Sequence, residues 1–262
     1  MAAPTLTVEK RGHILLMGLN RVAKRNAFDL DLYHSLSMAY GELERDDHLR
    51  CGVLFAHGDH FTGGIDLPQW TEHFAQGKFM ECAPGGMDPL ALDESKTVTK
   101  PIVMATQGWC LTIGLELLLA SDIRVAAENT RFAQIEVKRG IYAIGGATVR
   151  MHQEMGWGNA MRYLLTGDEI SAAEALRLGL VQEVVTTGAQ LDRAISIAER
   201  IAAQAPLAVK ATLLSARIAR SQGAREAIQR LAPDMVPLLQ SADAKEGVQS
   251  FIERRPAWFS GC

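Results

Sequence analysis

The pattern of hydrophobic and polar residues predicts alternating strands and helices in the first half of the chain. Short apolar runs bounded by turn residues, typical of strands, occur at residues 6–10, 13–19, 51–56, 101–106 and 122–127. Apolar residues spaced by three and four predict helices that begin near residues 29 and 114. The order strand, glycine-bearing turn, helix and strand occurs twice, which is typical of parallel strands joined by helices.

Capping residues and turn residues set the expected limits of these elements. Asp29 is a favourable N-cap for the first helix. Ser171 followed by Glu174 is a capping box for a helix that ends at Gly179. Residues 68–100 contain several glycines and prolines and no sustained period, so we expect broken helices that form a mobile cover.

The last third of the chain is predicted to be almost wholly helical. Apolar spacings of three and four occur at residues 159–165, 171–178, 191–204, 206–221 and 224–239. Several of these helices are rich in Ala and Leu and are apolar on more than one side. Because such surfaces commonly pack against other subunits, we expect an oligomer.

Composition and charge indicate a globular protein without a nucleic-acid-binding surface. Of the 262 residues, 48% are hydrophobic and 22% are charged, which is enough apolar mass for one large domain or two small ones. The formal net charge is −3, so no basic surface for nucleic acid is indicated.

Cysteine spacing and the N-terminal segment point to a cytoplasmic protein without a bound metal. The four cysteines form no pair with the spacing of a zinc site or a redox motif, and free thiols are typical of a reducing compartment. Residues 1–10 lack the basic and apolar segments of a signal peptide. The longest apolar runs are too short to span a bilayer, and Glu116 interrupts one of them.

Two glutamates in the most apolar third of the sequence are the candidate catalytic groups. Glu116 is the single acid in the apolar run 115–120, where a carboxylate loses several kcal/mol of solvation unless it is neutral, paired or hydrogen-bonded. Glu136 follows in the same region. A buried acid held by hydrogen bonds is the alternative interpretation. Two such acids, each near a glycine-bearing turn, favour a functional site.

Two glycine-bearing turns could supply hydrogen-bond donors to the same site. At residues 62–64 and 112–114 the chain leaves a predicted strand and passes through glycine, which lets backbone N–H groups face a cavity. Two N–H groups aimed at one point form an oxyanion hole for a carbonyl that becomes enolate-like. The alternative is that both segments are tight connections between strands and helices.

Several segments together resemble the crotonase family, also called the enoyl-CoA hydratase/isomerase superfamily. They lie in the family's order over nearly the whole chain, at residues 20–28, 61–66, 108–122, 132–136, 166–167, 172–184 and 251–256. The resemblance implies an α/β fold, a spiral of ββα units over residues 1–200. It also implies a helical C-terminal region, residues 201–262, for trimerisation and active-site cover. A homotrimer, or a hexamer of two stacked trimers, is therefore expected.

The resemblance also assigns roles to the candidate residues. The N–H groups of Thr62 and Ile113 would bind the carbonyl oxygen of a coenzyme A thioester. Glu116 would hold and activate water for addition at C3 of a 2-trans-enoyl-CoA, and Glu136 would exchange the proton at C2. Because isomerases of the family usually keep only one of the two acids, the resemblance favours a hydratase. No cofactor is implied, since coenzyme A enters with the substrate.

Contacts with coenzyme A are implied for two groups of residues. They are Lys24, Arg25 and Ala27 in the basic loop, and Gly63, Gly64, Ile65, Asp66 and Gly114 in the two glycine-bearing turns. A solvated basic loop is the alternative for the two cations. Aromatic and methionine side chains between residues 70 and 87, including Trp70, would line an acyl channel or belong to the core.

The second turn departs from the family pattern and leaves the substrate open. Where the family commonly has consecutive glycines, this chain has Thr112 and Ile113, whose β-branched side chains restrict the backbone and narrow the acyl cavity. The acyl chain is therefore not predicted. An enoyl-CoA isomerase or another thioester-enolate reaction is the alternative within the fold, and a non-catalytic RNA-binding protein is the alternative outside enzymology.

Overall fold

Strands and helices are interspersed up to residue 185 in the computed structural model, which describes residues 4–262. The strands are β1 (Leu6–Arg11), β2 (Ile14–Leu19), β3 (Cys51–Ala56), β4 (Ile102–Thr106), β5 (Trp109–Leu111), β6 (Ile123–Ala127), β7 (Arg131–Ala133), β8 (Ile170–Ser171) and β9 (Glu183–Val185). The helices are α1 (Leu30–Arg45), α2 (Leu67–Ala75), α3 (Ile113–Ala120), α4 (Ala147–Met155), α5 (Trp157–Thr166), α6 (Ala172–Arg177), α7 (Gln190–Ala202), α8 (Pro206–Ser221), α9 (Ala224–Gln240) and α10 (Ala242–Glu253). Short 3₁₀ turns lie at Val22–Lys24, Glu94–Lys96 and Glu136–Arg139.

The larger sheet has six strands in the order β1-β2-β3-β4-β6-β9. β1 and β2 are antiparallel, and each of the other neighbours is parallel. Every residue of β2 and of β4 is buried, as expected when helices cover both faces of a parallel sheet. On one face Val53, Val103 and Val125 pack against Ala194 and Ala198 of α7. The predicted α/β class and its parallel strands are confirmed.

A smaller sheet of β5, β7 and β8 connects the two glycine-bearing turns. β5 is parallel to β7, and a single parallel bridge joins Cys110 of β5 to Thr62. This bridge fixes the turn after Phe61 beside the N-terminus of α3. The small sheet therefore brings together two segments that are distant in sequence.

Two helices and several short strands were not predicted from the sequence. β5, β7, β8 and β9 have only two or three residues, too few for a hydrophobic period to be visible. In α4 only Ala147, Met151 and Met155 are buried, a spacing of four residues inside a polar segment. α10 follows α9 after the single residue Ser241, which caps it by accepting from the N–H of Ala244.

Both predicted helix caps are confirmed. The Asp29 side chain accepts a hydrogen bond from the N–H of Leu32 at 2.8 Å at the start of α1. Ser171 accepts from the N–H of Glu174 at 3.3 Å at the start of α6. Among residues 4–262, no helix is long and apolar enough to cross a lipid bilayer.

Residues 68–100 are anchored at two points. Trp70 of α2 is fully buried and donates its indole N–H to the carbonyl oxygen of Phe28 at 2.8 Å. Trp70 therefore belongs to the core, the second of the two roles expected for it, and does not line an acyl channel. Further along, the carboxylate of Asp88 accepts a hydrogen bond from the hydroxyl of Tyr33 of α1 at 3.2 Å.

Candidate active site

Glu116 lies in the first turn of α3, inside the protein core. α3 is apolar on all sides, and Glu116 is only 2% exposed. Its Oε1 accepts hydrogen bonds from the N–H groups of Gly145 and Ala147 at 2.6 and 3.3 Å. Two backbone donors from a neighbouring turn therefore fix this carboxylate.

The turn that holds Glu116 requires glycine. A Cβ atom at Gly145 would overlap the carboxylate of Glu116. Gly146, the N-cap residue of α4, has φ of 107°, a conformation that residues with side chains rarely adopt. The two glycines therefore let the backbone approach the acid closely.

The environment of Glu116 keeps its carboxyl partly protonated near neutral pH. Burial is the main cause that raises its pKa, the nearby negative charge of Glu136 adds to it, and the pKa reaches about 7. The hydrogen bonds from Ala147 and Gly145 and the charge of Arg150 act in the opposite direction. A carboxyl group with a pKa near the working pH is suited to general acid–base catalysis.

Glu136 opens the 3₁₀ turn Glu136–Arg139 and lines a cavity. Burial raises its pKa above the ordinary value. With its amide nitrogen turned toward the acid, Gln134 donates to both carboxylate oxygens, at 3.1 and 3.2 Å. This orientation gives the buried Gln134 amide its partner, so Gln134 positions Glu136. The charge of Glu136 adds to the raised pKa of Glu116, so the two carboxylates are close enough to interact.

The cavity beside Glu136 has a volume of about 270 Å³ and a mainly apolar lining. It is lined by Gln134, Glu136, Val137, Tyr142, Ala143, Thr148, Trp157, Met161, Leu164 and Leu165. Nine of these ten residues lie either in the segment 134–143 or on α5. None of the aromatic and methionine residues at 70–87, which were expected in an acyl channel or in the core, lines this cavity.

Thr62 was predicted as an oxyanion-hole donor, and the structure shows that this prediction is wrong. The N–H of Thr62 donates to the carbonyl oxygen of Trp109 at 2.8 Å, as part of the bridge to β5. Its hydroxyl donates to the carbonyl oxygen of Asn26 at 2.7 Å, and the residue is fully buried. Neither group of Thr62 is available to a ligand.

Ile65, three residues further on, has the free donor of this turn. The neighbouring peptide groups pair with Phe28, because the N–H of Phe28 donates to Gly64 and the N–H of Asp66 donates to Phe28. Within residues 4–262, the N–H of Ile65 has no acceptor. The N–H of Ile113, at the first position of α3, also has none in this part of the chain. The available pair of donors is therefore Ile65 and Ile113.

The residues predicted to contact coenzyme A in the basic loop lie beside the first turn. Lys24 and Arg25 are exposed, and the guanidinium of Arg25 lies 4.8 Å from the ring centre of Trp109. The N–H of Gly63 donates to the carbonyl oxygen of Arg25 at 2.8 Å. Ala27 is half-buried. This loop and the first turn therefore form one surface.

Three other predicted ligand contacts have structural roles. The carboxylate of Asp66 pairs with Arg21 at 2.9 Å. A Cβ atom at Gly114 would lie 2.5 Å from Cγ2 of Thr62, so Gly114 allows α3 to pack closely against the first turn. The carbonyl oxygen of Gly64 accepts from the N–H of Phe28, so Gly64 helps to hold the first turn against Phe28.

Comparison with known proteins decides the family. The family model described as enoyl-CoA hydratase/isomerase matches residues 9–261, nearly the whole chain. The chain belongs to the enoyl-CoA hydratase/isomerase family. The resemblance noted in the sequence is thus confirmed.

Individual relatives of this enoyl-CoA hydratase/isomerase family member align with it over nearly their full length. A curated enoyl-CoA hydratase of Mycobacterium tuberculosis, EchA19, is 35% identical and covers 97% of this chain and 96% of that protein. The (E)-benzylidenesuccinyl-CoA hydratase of Thauera aromatica is 34% identical over 98% of this chain and 99% of that protein. A crystal structure of a probable enoyl-CoA hydratase/isomerase from Mycobacterium abscessus is 46% identical, with a TM-score of 0.95 over 98% of this chain and 99% of that chain.

Three features of this family member's site were missed by sequence reasoning. Ile65 was assigned to coenzyme A and its free N–H was not foreseen, because the bridge that occupies Thr62 is not visible in sequence. Gln134 was not singled out within residues 132–136, although an amide two residues before a candidate acid was a usable signal. The N–H of Ala147 could not be foreseen, since α4 was not predicted.

Proposed function

We propose that the protein catalyses reversible hydration of a 2-trans-enoyl-CoA. The observation that carries this proposal is the pair of acids, Glu116 and Glu136, both with raised pKa values and close enough that one raises the pKa of the other. A single acid would suffice to move a proton between two carbons. Addition of water needs one group that takes a proton from water and one that gives a proton to carbon.

The two backbone donors would bind the thioester. The N–H groups of Ile65 and Ile113 would donate to the carbonyl oxygen, where negative charge develops as the double bond accepts water. Fixed donors at such a position are worth about 3 kcal/mol each in transition-state stabilisation. This assignment replaces Thr62 by Ile65 and keeps Ile113 as predicted.

The proposed reaction balances with one water molecule. Deprotonated Glu116 takes a proton from water as the water oxygen bonds to C3. The π electrons of the C2–C3 bond move toward the thioester oxygen, and C2 then takes a proton from protonated Glu136. The net change is addition of hydroxyl at C3 and hydrogen at C2, and exchange with solvent restores both acids.

The relatives support this reaction and leave the acyl group open. EchA19 and the (E)-benzylidenesuccinyl-CoA hydratase are both named as hydratases of coenzyme A thioesters. The cavity beside Glu136 would receive the acyl chain, since its lining is mainly apolar. Lys24 and Arg25 would bind the phosphates of coenzyme A. We expect no cofactor and no metal ion in this reaction.

The C-terminal region would form the contacts of a homotrimer or hexamer. Large apolar side chains are exposed along α9 and α10 and beyond them, namely Ile228, Leu231, Met235, Val236, Leu239, Val248, Phe251, Ile252 and Trp258. Exposed apolar surface of this extent is typical of subunit interfaces. In this proposal residues 1–200 are the core and residues 201–262 the oligomerising region of a cytoplasmic enzyme that binds no nucleic acid.

The test is the loss of enoyl-thioester absorbance when purified protein meets crotonyl-CoA and a longer 2-enoyl-CoA. We expect turnover by the wild type and a loss of about 10³-fold in kcat for Glu116→Gln and for Glu136→Gln. Glu169→Gln is the matched control, because Glu169 is 56% exposed and forms only a surface ion pair with Arg131.

Three results would change the proposal. Binding of thioesters without turnover on any chain length would contradict hydration. Full activity of Glu116→Gln together with an inactive Glu136→Gln would favour an isomerase. A salt-sensitive shift of RNA by the protein, with no turnover, would favour the RNA-binding alternative.

A further inference from the structure

Thr112 has a backbone conformation that is rare for a β-branched residue. Its φ is 49° and its ψ is −114°, a region that glycine adopts easily and threonine does not. It immediately precedes α3 and the free N–H of Ile113. A strained residue at this place persists only where the surrounding structure holds it, and such residues cluster at functional sites.

The hydroxyl of Thr112 is the only polar group of this residue without a partner in the described chain. The N–H of Thr112 donates to Ala133 at 2.9 Å, and its carbonyl oxygen accepts from Glu116 at 3.1 Å. Its Oγ1 is buried, and no atom of residues 4–262 pairs with it. Buried hydroxyls without a partner are uncommon in folded proteins, so this one calls for a partner from outside the chain.

The hydroxyl lies beside the peptide group that bears one free backbone donor and belongs to the residue before the other. A Cβ atom at Gly64 would be 2.6 Å from Oγ1 of Thr112, so the hydroxyl contacts the backbone of the first turn. Gly64 directly precedes Ile65, and Thr112 directly precedes Ile113. The side chain of Thr112 is therefore placed where the peptide groups that bear both free N–H groups come together.

We propose that the hydroxyl of Thr112 donates a third hydrogen bond to the carbonyl oxygen of the bound thioester. This inference rests on the proposed function, because it needs a thioester bound at Ile65 and Ile113. The carbonyl oxygen is the acceptor that the two backbone donors would hold within reach of Oγ1. A side-chain donor in the hole also gives the strained conformation of Thr112 a use that glycine could not supply.

The hydroxyl would act on the reaction by polarising the carbonyl group. Charge moves from the double bond to this oxygen during hydration, so a third donor would stabilise the transition state more than the bound substrate. Removing the hydroxyl should therefore lower kcat more than it weakens binding of a saturated acyl-CoA.

The experiment measures the carbonyl stretching frequency of bound butyryl-CoA labelled with ¹³C at the thioester carbon. Butyryl-CoA lacks the double bond, so it binds without reacting. In the wild type we expect a shift to lower frequency relative to free butyryl-CoA. In Thr112→Ala that shift should decrease and kcat for crotonyl-CoA should fall by about 10- to 100-fold. Thr112→Ser, which keeps the hydroxyl, should retain the wild-type shift.

Thr112→Gly provides a variant that is expected to fold, because glycine adopts the observed backbone conformation without strain. It should have a higher melting temperature than the wild type and the smaller carbonyl shift of Thr112→Ala. A wild-type shift in Thr112→Ala or in Thr112→Gly would overturn the third donor. That result would leave hydration by the two glutamates intact, whereas failure of the wild type to bind or hydrate thioesters would contradict the proposed function itself.

Discussion

The two segments that carry the candidate acids are built differently. Glu116 lies in α3, a helix buried on all sides, and backbone N–H groups of another turn hold it. Glu136 lies at the start of a 3₁₀ turn whose later residues are exposed, and the side-chain amide of Gln134 holds it. One carboxylate is fixed by the fold, and the other by a single neighbouring side chain at the edge of a cavity.

This difference suits the two acids to different roles in the proposed reaction. A carboxylate held by two backbone donors cannot move without rearranging the turn, so Glu116 is suited to hold a water at a constant position. Glu136 has a side-chain partner and faces the cavity, so it can adjust to the carbon that receives the proton. In both segments burial is the main cause of the raised pKa.

Substitution of Gly145 should have the largest effect on activity, because it disturbs the turn that holds the carboxylate of Glu116. In Gly145→Ala the new methyl group would overlap the carboxylate of Glu116 and displace it. Loss of a positioned acid–base group should lower kcat by about 10³-fold. Gly158→Ala is the matched control, since a Cβ atom at Gly158 meets no atom within 4 Å. Equal activity of the two variants would show that Glu116 does not need its present position.

The pH dependence of stability should distinguish the two acids next. Glu116 has a pKa of about 7 in the folded protein and an ordinary value of 4.5. The folded state therefore binds more protons than the unfolded state between these values, and this group contributes less stability as pH rises from about 4.5 to about 7. Glu116→Gln should remove a loss of about 3 kcal/mol in the free energy of unfolding over this range.

Denaturant unfolding at pH 5 and pH 8 would measure that effect. Relative to the wild type, Glu116→Gln should gain stability at pH 8 but not at pH 5, and Glu136→Gln should show a smaller gain at pH 8. If the free energy of unfolding of Glu116→Gln depended on pH as in the wild type, Glu116 would be ionised over the whole range. Its pKa would then not be raised in the folded protein.

Removal of the Gln134 amide should have a moderate effect that is confined to Glu136. In Gln134→Leu the carboxylate of Glu136 loses its donor, so we expect about tenfold lower kcat, equivalent to one hydrogen bond to a charged group. Steady-state kinetics would measure kcat and KM separately. The pH slope of stability assigned to Glu116 should remain in this variant. Its disappearance would mean that the two segments are coupled through Gln134.

Removal of Arg25 should have the smallest effect, because this residue lies outside the acid pair. Arg25→Ala should raise KM for a coenzyme A thioester by about threefold at low salt, as expected for one exposed cation near phosphate. Arg11→Ala is the control, because it removes an exposed arginine that lies outside the basic loop. Identical KM values at low and high salt in wild type and Arg25→Ala would contradict the placement of phosphate at this loop.

The acids and the main strands could be predicted from sequence because each leaves a local signal. Glu116 is the one charge in an apolar run, and its burial in α3 follows from that run. The strands of the larger sheet are continuous apolar segments between turn residues. Asp29 and Ser171 were found as caps, since their signals lie within a few residues of each helix.

Features that depend on pairing between distant segments were not predictable. The choice of Thr62 instead of Ile65 as a donor failed because the bridge to Cys110 decides which N–H is occupied. The role of Trp70, core or acyl channel, stayed open because its partner, the carbonyl oxygen of Phe28, is far away in sequence. The two donors that hold Glu116 belong to a turn whose approach to α3 only the folded chain reveals.

Hydration of crotonyl-CoA in water labelled with ¹⁸O distinguishes hydration by two acids from movement of the double bond. The wild type should yield one ¹⁸O atom at C3 of the product, and both Glu116→Gln and Glu136→Gln should show strongly reduced incorporation. Consumption of the substrate with a moved double bond and no ¹⁸O would contradict hydration by two acids. It would leave Glu136 as the single acid of an isomerase.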